Sequence, residues 1–423
     1  MEKLFKLKEH NTDVRTEVIA GITTFMTMAY IIFVNPSILS STGMNFEAVM
    51  TATVVSAALT TILMGLMTNY PFALASGMGL NALFAFTVAP IAGWEAALGV
   101  VFISGIVFFV LAVGGIIDKI DASVPTSLKR AVAAGIGLFI ALIGLKNSGV
   151  ITAEMTLGEI SAPGPMLSII GLLIIAVLMA LKVRGAILIG IILTTIIGMF
   201  TGVTTVPTGL SDIFGRPASL APIFLKMDLK AALSMGFYIF AFAFVDVFDT
   251  IGTLLGTAAR AGFLDKNGRL PKVKKAMIAD AIGTMFGATL GTSTVTTYVE
   301  SASGVSEGGR TGLTSIVVGL LFLASLFIAP LALLIPGAAT APALVIVGVL
   351  MMGAVTDINF EDFTDAFPAF VTIIFMPFAG SIADGIAAGF IAYPLVKLAA
   401  GKVKDVNWFI YILAAISLAH FIL

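Results

Sequence analysis

The chain lacks cysteine altogether and is poor in charged residues, and each absence removes whole classes of protein. None of its 423 residues is Cys, which excludes disulfides, thiolate metal sites and cysteine nucleophiles. Charged residues make up 11% and the net charge is −1, so no surface for nucleic acid is indicated. The two histidines, His10 and His420, lie near the termini, and a histidine-based catalytic site is therefore not expected.

Long apolar runs dominate what is present. Hydrophobic residues account for 59% of the chain, the mean hydropathy is +1.09, and runs approaching the ~20 residues that span a bilayer recur throughout. We therefore expect an all-α polytopic membrane protein with fourteen transmembrane segments. The candidates lie near 17–36, 46–69, 78–91, 94–117, 128–146, 166–182, 185–202, 232–257, 276–290, 298–307, 311–335, 341–355, 364–379 and 381–398. The run from Trp408 to Leu423 is expected to form a helix at the membrane interface.

Basic residues divide unequally between the two sides of these spans. With the N-terminus in the cytoplasm and one crossing per candidate, nineteen of the 23 Lys and Arg residues fall on the cytoplasmic side. The exceptions are Lys146, Arg216, Lys226 and Lys230. A span missed or invented before the basic cluster at 260–275 would largely remove this bias. The pattern predicts a multi-pass protein of the plasma membrane with a cytoplasmic N-terminus.

Two short polar stretches interrupt the apolar runs at similar depths in the two halves of the chain. They cover residues 72–81 and 291–300. Backbone at membrane depth leaves the helix only where protein or a polar cavity satisfies its N–H and C=O groups. The matching positions predict two seven-span repeats of inverted topology, with short extended stretches and half-helices in spans three and ten. The helix starts beside Asn81 and Glu300 would then favour the acceptor groups of a ligand near the midplane.

Three acidic residues lie in apolar surroundings, where an Asp costs roughly 2.5–3.5 kcal/mol at a helix centre. Asp246 and Asp249 are three residues apart, a spacing that places both carboxylates on one face of the eighth span. Glu300 is the third, and Tyr298 precedes it by two residues. An aromatic face and a carboxylate are suited to hold one planar heterocycle. Pairing with buried donors or helix capping is the alternative, but the clustering favours a binding site.

One further acidic residue and two pairs of glycines are expected to have structural roles. Asp280 lies close to the basic cytoplasmic loop, so we expect it to pair with Lys274 or Lys275. Gly252-Thr-Leu-Leu-Gly256 and Gly287-Ala-Thr-Leu-Gly291 match the small-xxx-small pattern. In a chain with 43 glycines, close helix packing is the expected explanation for both.

Five segments carry recognisable motifs. They are Arg15 to Tyr30 with Asn35-Pro36, Gly77-Met-Gly-Leu-Asn81, Ala134-Gly-Ile-Gly-Leu-Phe139, Asp246-Val-Phe-Asp-Thr-Ile-Gly-Thr253 and Thr296-Thr-Tyr-Val-Glu-Ser-Ala-Ser-Gly-Val305. In this order they resemble the nucleobase–cation symporter 2 family, specifically its AzgA-like purine permease branch, over nearly the whole chain.

The resemblance implies a division into two domains with the substrate between them. Spans 1–4 and 8–11 form a core domain, here residues 1–125 and 231–335. Spans 5–7 and 12–14 form a gate domain, here residues 126–230 and 336–400. Residues 401–423 remain as a C-terminal tail or interfacial helix.

The resemblance also implies which residues form the site. The substrate-binding residues carried over by similarity are Asn81, Asp246, Asp249, Tyr298, Val299 and Glu300. Asp246 and Glu300 are in addition the expected proton carriers. Related uracil and xanthine carriers often have Gly where Val299 stands.

The function implied is import of a purine nucleobase by proton symport with alternating access, without a metal or other cofactor. Guanine and hypoxanthine are the favoured substrates and an adenine-preferring permease is the alternative. Sodium stays open as the coupling ion because Thr292, Ser293 and Thr294 supply hydroxyl groups. An anion carrier for sulfate or bicarbonate with the same fold is disfavoured by the acidic residues. An intramembrane hydrolase is also disfavoured, because the chain lacks the pair of a nucleophile and a base that such an enzyme requires. The expected partners are therefore the nucleobase, a proton and the lipid bilayer, and a homodimer is the candidate assembly.

Overall fold

The computed structural model describes residues 2–209, 212–266 and 269–422. The predicted domain ranges also include residues 1, 210–211, 267–268 and 423, which lie outside the described residues. The first half contains α1 Glu2–Phe5, α2 Val14–Met28, α3 Ile31–Leu39, α4 Phe46–Thr68, β1 Leu74–Ser76, α5 Met78–Ala82, α6 Ala89–Ala92, α7 Trp94–Gly114, α8 Ile117–Ser123, α9 Thr126–Asn147, α10 Pro163–Ala180 and α11 Ala186–Thr201. A π-helical turn, Leu83–Val88, joins α5 to α6.

The second half has the same helical character. It contains α12 Leu229–Leu233, α13 Gly236–Ala261, α14 Val273–Leu290, β2 Val295–Thr297, α15 Ser301–Ser306, α16 Gly312–Ser325, α17 Ala329–Leu333, α18 Gly337–Met352, α19 Phe363–Ala379, α20 Ile382–Ala399 and α21 Trp408–Ile422. Short 3₁₀ turns lie at Ser40–Thr42, Leu326–Ile328, Gly353–Asp357 and Val403–Asp405.

The chain is a multi-pass membrane protein. Within the described ranges, nine helical segments are long and apolar enough to cross a bilayer. Four shorter apolar helical segments are Met78–Ala92, Ala186–Thr201, Phe363–Ala379 and Trp408–Ile422. The predicted spans near 276–290 and 298–307 correspond to α14 and α15, which are outside both sets. α14 begins next to charged residues and α15 has only six residues, so hydropathy and length do not establish fourteen spans.

Each polar stretch contains one short strand, and the two strands pair with each other. β1 and β2 are antiparallel, with Ala75 opposite Thr296. The pairing extends beyond the strands, since Gly77 N donates to Thr294 O at 3.2 Å and Tyr298 N donates to Ala73 O at 2.9 Å. The backbone groups that leave helical geometry are thus satisfied by the corresponding stretch in the other half of the chain.

A buried carboxylate fixes the start of α16 against α2. Glu17 is fully buried and accepts hydrogen bonds from the backbone N–H of Arg310, Thr311 and Thr314, at 2.9, 3.3 and 3.1 Å. The Thr314 hydroxyl adds a fourth bond at 2.6 Å. A helix start offers free N–H donors, which a carboxylate satisfies. These bonds therefore join α2 in the first half of the chain to α16 in the second half.

The C-terminal helix packs on a neighbouring helix along one face. α21 packs against α20, and His420 near its end lies 2.9 Å from Asp384 near the start of α20. The two helices therefore run antiparallel beside each other. Ile410, Leu413 and Ser417 form the buried face of α21. Their spacing of three to four residues gives one apolar stripe that packs on a neighbouring helix.

Candidate functional site

The paired strands β1 and β2 are buried, and each is followed by a short helix. α5 begins at Met78 directly after β1, and α15 begins at Ser301 soon after β2. A Cβ atom at Gly77 would lie 2.7 Å from Cγ2 of Thr296, so a larger residue there would displace the Thr296 side chain. Tight packing between the two polar stretches therefore favours a glycine at this position.

Asp246 and Asp249 point toward different surroundings, although both lie on α13. Asp246 is 1% exposed, and its Oδ2 accepts a hydrogen bond from the Thr284 hydroxyl of α14 at 2.8 Å. Its Oδ1 has no hydrogen-bond partner among the described residues. Asp249 is exposed and lines a cavity. A spacing of three predicts both carboxylates on one face of α13, but Asp249 lines the cavity whereas Asp246 contacts α14.

Asn81 belongs to a chain of buried polar groups behind the cavity. The Ser76 hydroxyl donates to Oδ1 of Asn81 at 3.1 Å, and the Asn35 amide donates to the Thr292 hydroxyl at 2.9 Å. Ser76 and Thr292 hydroxyls are 3.4 Å apart, which connects the two polar stretches. The amide nitrogen of Asn81 finds no acceptor within the described part of the chain. It is a free donor next to Leu80, which lines the cavity.

The three remaining predicted site residues follow β2. Glu300 is partly buried and accepts a hydrogen bond from the Tyr30 hydroxyl at 2.9 Å. Tyr298 is 6% exposed, and its hydroxyl donates to the backbone oxygen of Ser76 in β1. Val299 is 55% exposed and lines the cavity. Tyr298 therefore contacts β1, whereas Val299 lines the cavity.

The cavity has a volume of about 560 Å³. One wall is a face of α13 that includes Asp249, Gly252 and Gly256, and the opposite wall is formed by α9 and Met351 of α18. A Cβ atom at Gly252 or Gly256 would meet nothing within 4 Å. The helix-packing interpretation of this glycine pair is therefore wrong, because both residues border open space.

The other glycine pair behaves as expected from close packing. A Cβ atom at Gly287 would lie 2.7 Å from the backbone oxygen of Ser293. Gly291 ends α14 with φ of +96°, a conformation that L side chains rarely adopt. These two positions bring α14 close to the second polar stretch.

Asp280 is a buried polar residue that the sequence interpretation misplaced. It is fully buried in α14, and its Oδ2 accepts hydrogen bonds from the backbone N–H and the hydroxyl of Thr297, both at 2.8 Å. The expected ion pair with Lys274 or Lys275 is therefore wrong. Its position two turns inside α14, one turn before Thr284, was the available signal. Tyr30, at the end of the first motif, is a further site residue that the sequence pattern does not identify.

The six predicted residues thus occupy one region with unequal access. Asp249 and Val299 line the cavity, and Glu300 is partly exposed. Asn81, Asp246 and Tyr298 are buried. The cavity offers a carboxylate acceptor in Asp249 and an apolar wall, which together match a small polar heterocycle.

Comparison with known proteins shows similarity along the whole chain. The sequence pattern of the permease family matches residues 15–388. "Putative permease MJ0326" of Methanocaldococcus jannaschii is 51% identical, over 100% of this chain and 98% of that protein. "Adenine permease AdeP" of Escherichia coli is 43% identical, over 98% and 94%. "Guanine/hypoxanthine permease PbuG" of Bacillus subtilis is 44% identical, over 100% and 99%.

A solved structure shares the fold. The transmembrane domain of a cyanobacterium bicarbonate transporter, BicA, superposes with a TM-score of 0.65 at 16% sequence identity. The superposition covers 87% of this chain and 96% of that domain. At this identity the likeness concerns the fold alone.

Proposed function

Since this chain belongs to the permease family, and within it to the nucleobase–cation symporter 2 family, we propose that it is a secondary transporter that imports purine nucleobases by proton symport. It is a permease and not an enzyme. The observation that carries the proposal is the cavity, which brings Asp249 and Val299 together beside the paired strands. Relatives named for adenine and for guanine and hypoxanthine match it over almost their full length.

The proposed binding mode follows from hydrogen-bonding chemistry. A purine base has N–H donors for a carboxylate and ring nitrogen or carbonyl acceptors for N–H groups. We assign substrate binding to Asp249 and Glu300, supported by Asn81 and Asp246, with Val299 and Tyr298 on the flanks. The unpaired Oδ1 of Asp246 and the unpaired amide of Asn81, as judged within the described residues, support this assignment. In the chain, each residue directly follows one that lines the cavity, Val245 for Asp246 and Leu80 for Asn81.

The proposed architecture is two inverted seven-span repeats. Antiparallel pairing of β1 with β2 supports it, because equivalent stretches of inverted repeats meet from opposite sides. The cavity lies between α13 and α15 on one side and α9 and α18 on the other. These are segments of the predicted core and gate domains, so their relative movement would give alternating access. With the N-terminus in the cytoplasm of a plasma-membrane protein, the end lined by Arg260 faces inward.

Proton coupling is assigned to Glu300 and Asp246. A buried carboxyl group binds a proton more readily than an exposed one, so a change in exposure between two states moves a proton. Guanine and hypoxanthine remain the favoured substrates. The bicarbonate-transporter fold keeps an anion as the second candidate, but Asp246, Asp249 and Glu300 would repel it.

Exchange and accumulation separate substrate binding from coupling. In proteoliposomes, Glu300→Gln is expected to abolish accumulation of labelled hypoxanthine driven by a proton gradient. It should retain exchange of internal for external base, because Gln still offers a carbonyl acceptor. Glu154→Gln is the control, since Glu154 is exposed between α9 and α10 and is absent from the cavity wall. Full accumulation by Glu300→Gln would contradict the assignment of Glu300 as proton carrier.

A further inference from the structure

The cavity carries opposite charges at its two ends. Asp249 and Val299 lie at one end, beside the proposed base site. Arg260 lies at the other end, where α13 ends, and Lys129 and Arg130 of α9 line the wall opposite α13. Basic residues are common on the cytoplasmic side of membrane proteins. That preference does not require them to line the substrate cavity, so their placement has a consequence for ligands.

Distances along the cavity fit a ligand longer than a base. Asp249 and Arg260 are eleven residues apart on α13, which is about 16 Å along the helix axis. The long Arg260 side chain can reach back over part of that length. Lys129 is closer to the base site, because its Nζ lies 5.4 Å from the centre of the Phe248 ring. Asp121, which also lines the cavity, pairs with Lys129 Nζ at 2.7 Å, and Arg130 pairs with Asp357 at 3.1 Å, so Arg260 is the cavity cation left without an ion pair among the described residues.

Polar groups along the cavity lack hydrogen-bond or ion-pair partners among the described residues. Thr257 is 1% exposed and lines the cavity, yet its hydroxyl has no hydrogen-bond partner among the described residues. Arg260 forms no salt bridge within the same ranges. α9 starts at Thr126, which lines the cavity, and no side chain caps it at Pro125. Its first N–H groups are therefore donors for an anion.

We propose that purine nucleoside 5′-monophosphates bind in this cavity from the cytoplasmic side and inhibit transport by competing with the base. The purine occupies the end at Asp249, and the phosphate is bound by Lys129 and Arg260. Arg and Lys are the usual phosphate ligands, and the cavity of about 560 Å³ lies within the roughly 300–1,000 Å³ of small-molecule sites. This inference rests on the proposed function, because it uses the same base site.

The proposal gives the site a place in a reaction sequence. An enzyme that attaches ribose phosphate to an imported base would form the inhibitor from the substrate. Accumulated nucleotide would then reduce further uptake. The nucleotide itself would not cross, since its phosphate carries a charge that is costly to move through the protein interior.

Competition binding tests the proposal on purified full-length protein in detergent, with labelled hypoxanthine as the reporter. Guanosine 5′-monophosphate is expected to displace hypoxanthine at a concentration at least about tenfold lower than guanosine, because the phosphate adds charge-assisted bonds. Inorganic phosphate alone should displace none. Equal potency of the nucleotide and guanosine would overturn the proposal.

Substitutions of Arg260 and the addition of anionic lipid test which groups bind the phosphate. Arg260→Gln should retain hypoxanthine binding and lose the advantage of the nucleotide over guanosine, whereas Arg260→Lys should keep part of it. Lys274→Gln is the control, because Lys274 is exposed at the start of α14 and does not line the cavity. If Arg260→Gln keeps the full advantage of the nucleotide over guanosine, the proposal is contradicted. It is also contradicted if added anionic lipid removes that advantage in the unmodified protein, because a lipid headgroup would then be the occupant. Absence of hypoxanthine binding in the unmodified protein would instead reject the proposed transport function.

Discussion

The Tyr30 hydroxyl donates a hydrogen bond to Oε1 of Glu300 across 2.9 Å, although 270 residues separate them in the chain. Tyr30 lies at the break between α2 and α3, and Glu300 directly precedes α15. A carboxylate at the start of one half-helix is thus oriented by a residue from the opposite half of the protein. This contact joins the two halves at the proposed coupling residue.

Tyr30→Phe tests that contact. A hydrogen bond to a charged group contributes roughly 1.5–3 kcal/mol, so we expect at least about a tenfold loss of initial hypoxanthine uptake. Tyr411→Phe is the control, because the buried Tyr411 hydroxyl has no hydrogen-bond partner among the described residues. Uptake into proteoliposomes and thermal unfolding should be measured together. An equal loss of uptake in both variants would show that the Glu300 contact is not responsible.

Gly252→Leu tests whether the cavity carries the substrate. The new side chain has space for its Cβ atom and replaces a helix residue of poor propensity, so the protein should fold with an unchanged or higher unfolding temperature. Leu should nevertheless fill the cavity and reduce uptake by at least an order of magnitude. Gly236→Leu is the matched control, since Gly236 also lies on α13 with no atom within 4 Å of a Cβ and does not line the cavity. Normal uptake by Gly252→Leu would contradict the assigned route.

Asp280→Ala tests the anchoring of β2. It leaves the buried N–H and hydroxyl of Thr297 without their acceptor, which costs about 1–3 kcal/mol for a buried donor. We expect a lower thermal unfolding temperature and weaker base binding, because β2 positions Glu300. Thr297→Ser keeps both donors and should stay close to the parent protein in both measurements. A stable, fully binding Asp280→Ala protein would remove Asp280 from the account.

Asp362→Asn gives a pH-dependent prediction outside the spans. The hydrogen bond from Lys402 at 2.6 Å, together with bonds from Thr364, holds the pKa of Asp362 well below its usual range. A lowered folded-state pKa contributes stability that is complete above the ordinary carboxyl value of about 4 and is lost only at lower pH. Asp362→Asn should therefore reduce the unfolding temperature by the same amount at pH 7 and pH 5. Below pH 4 the reduction should shrink, because the carboxyl group is protonated first in the unfolded chain; a reduction that stays constant down to pH 3 would show that the pKa is not lowered.

Much of the architecture follows from hydropathy and polar interruptions. α4, Phe46–Thr68, lies almost where the apolar run at 46–69 predicts it, and both strands fall inside the two polar stretches. These features are local, because helix length and the need to satisfy backbone groups are written in contiguous residues. The assignment to the symporter family is likewise confirmed by the matched family and relatives.

The wrong predictions concern which residue a side chain contacts in the folded protein. Asp280 was assigned to a nearby basic loop, yet its partner Thr297 lies in a strand beyond the end of α14. The spacing of Gly252 and Gly256 is the same in a packed interface and in a cavity wall, so sequence alone cannot distinguish them.

Uptake of labelled hypoxanthine into proteoliposomes under an inward proton gradient, without sodium, tests the central claim most directly. Unlabelled guanine, adenine and uracil serve as competitors, and a bicarbonate challenge covers the anion alternative. The account predicts gradient-driven accumulation that guanine blocks and uracil does not, and that collapses when the proton gradient is dissipated. Absence of uptake for every base, or uptake that requires sodium and ignores the proton gradient, would contradict it.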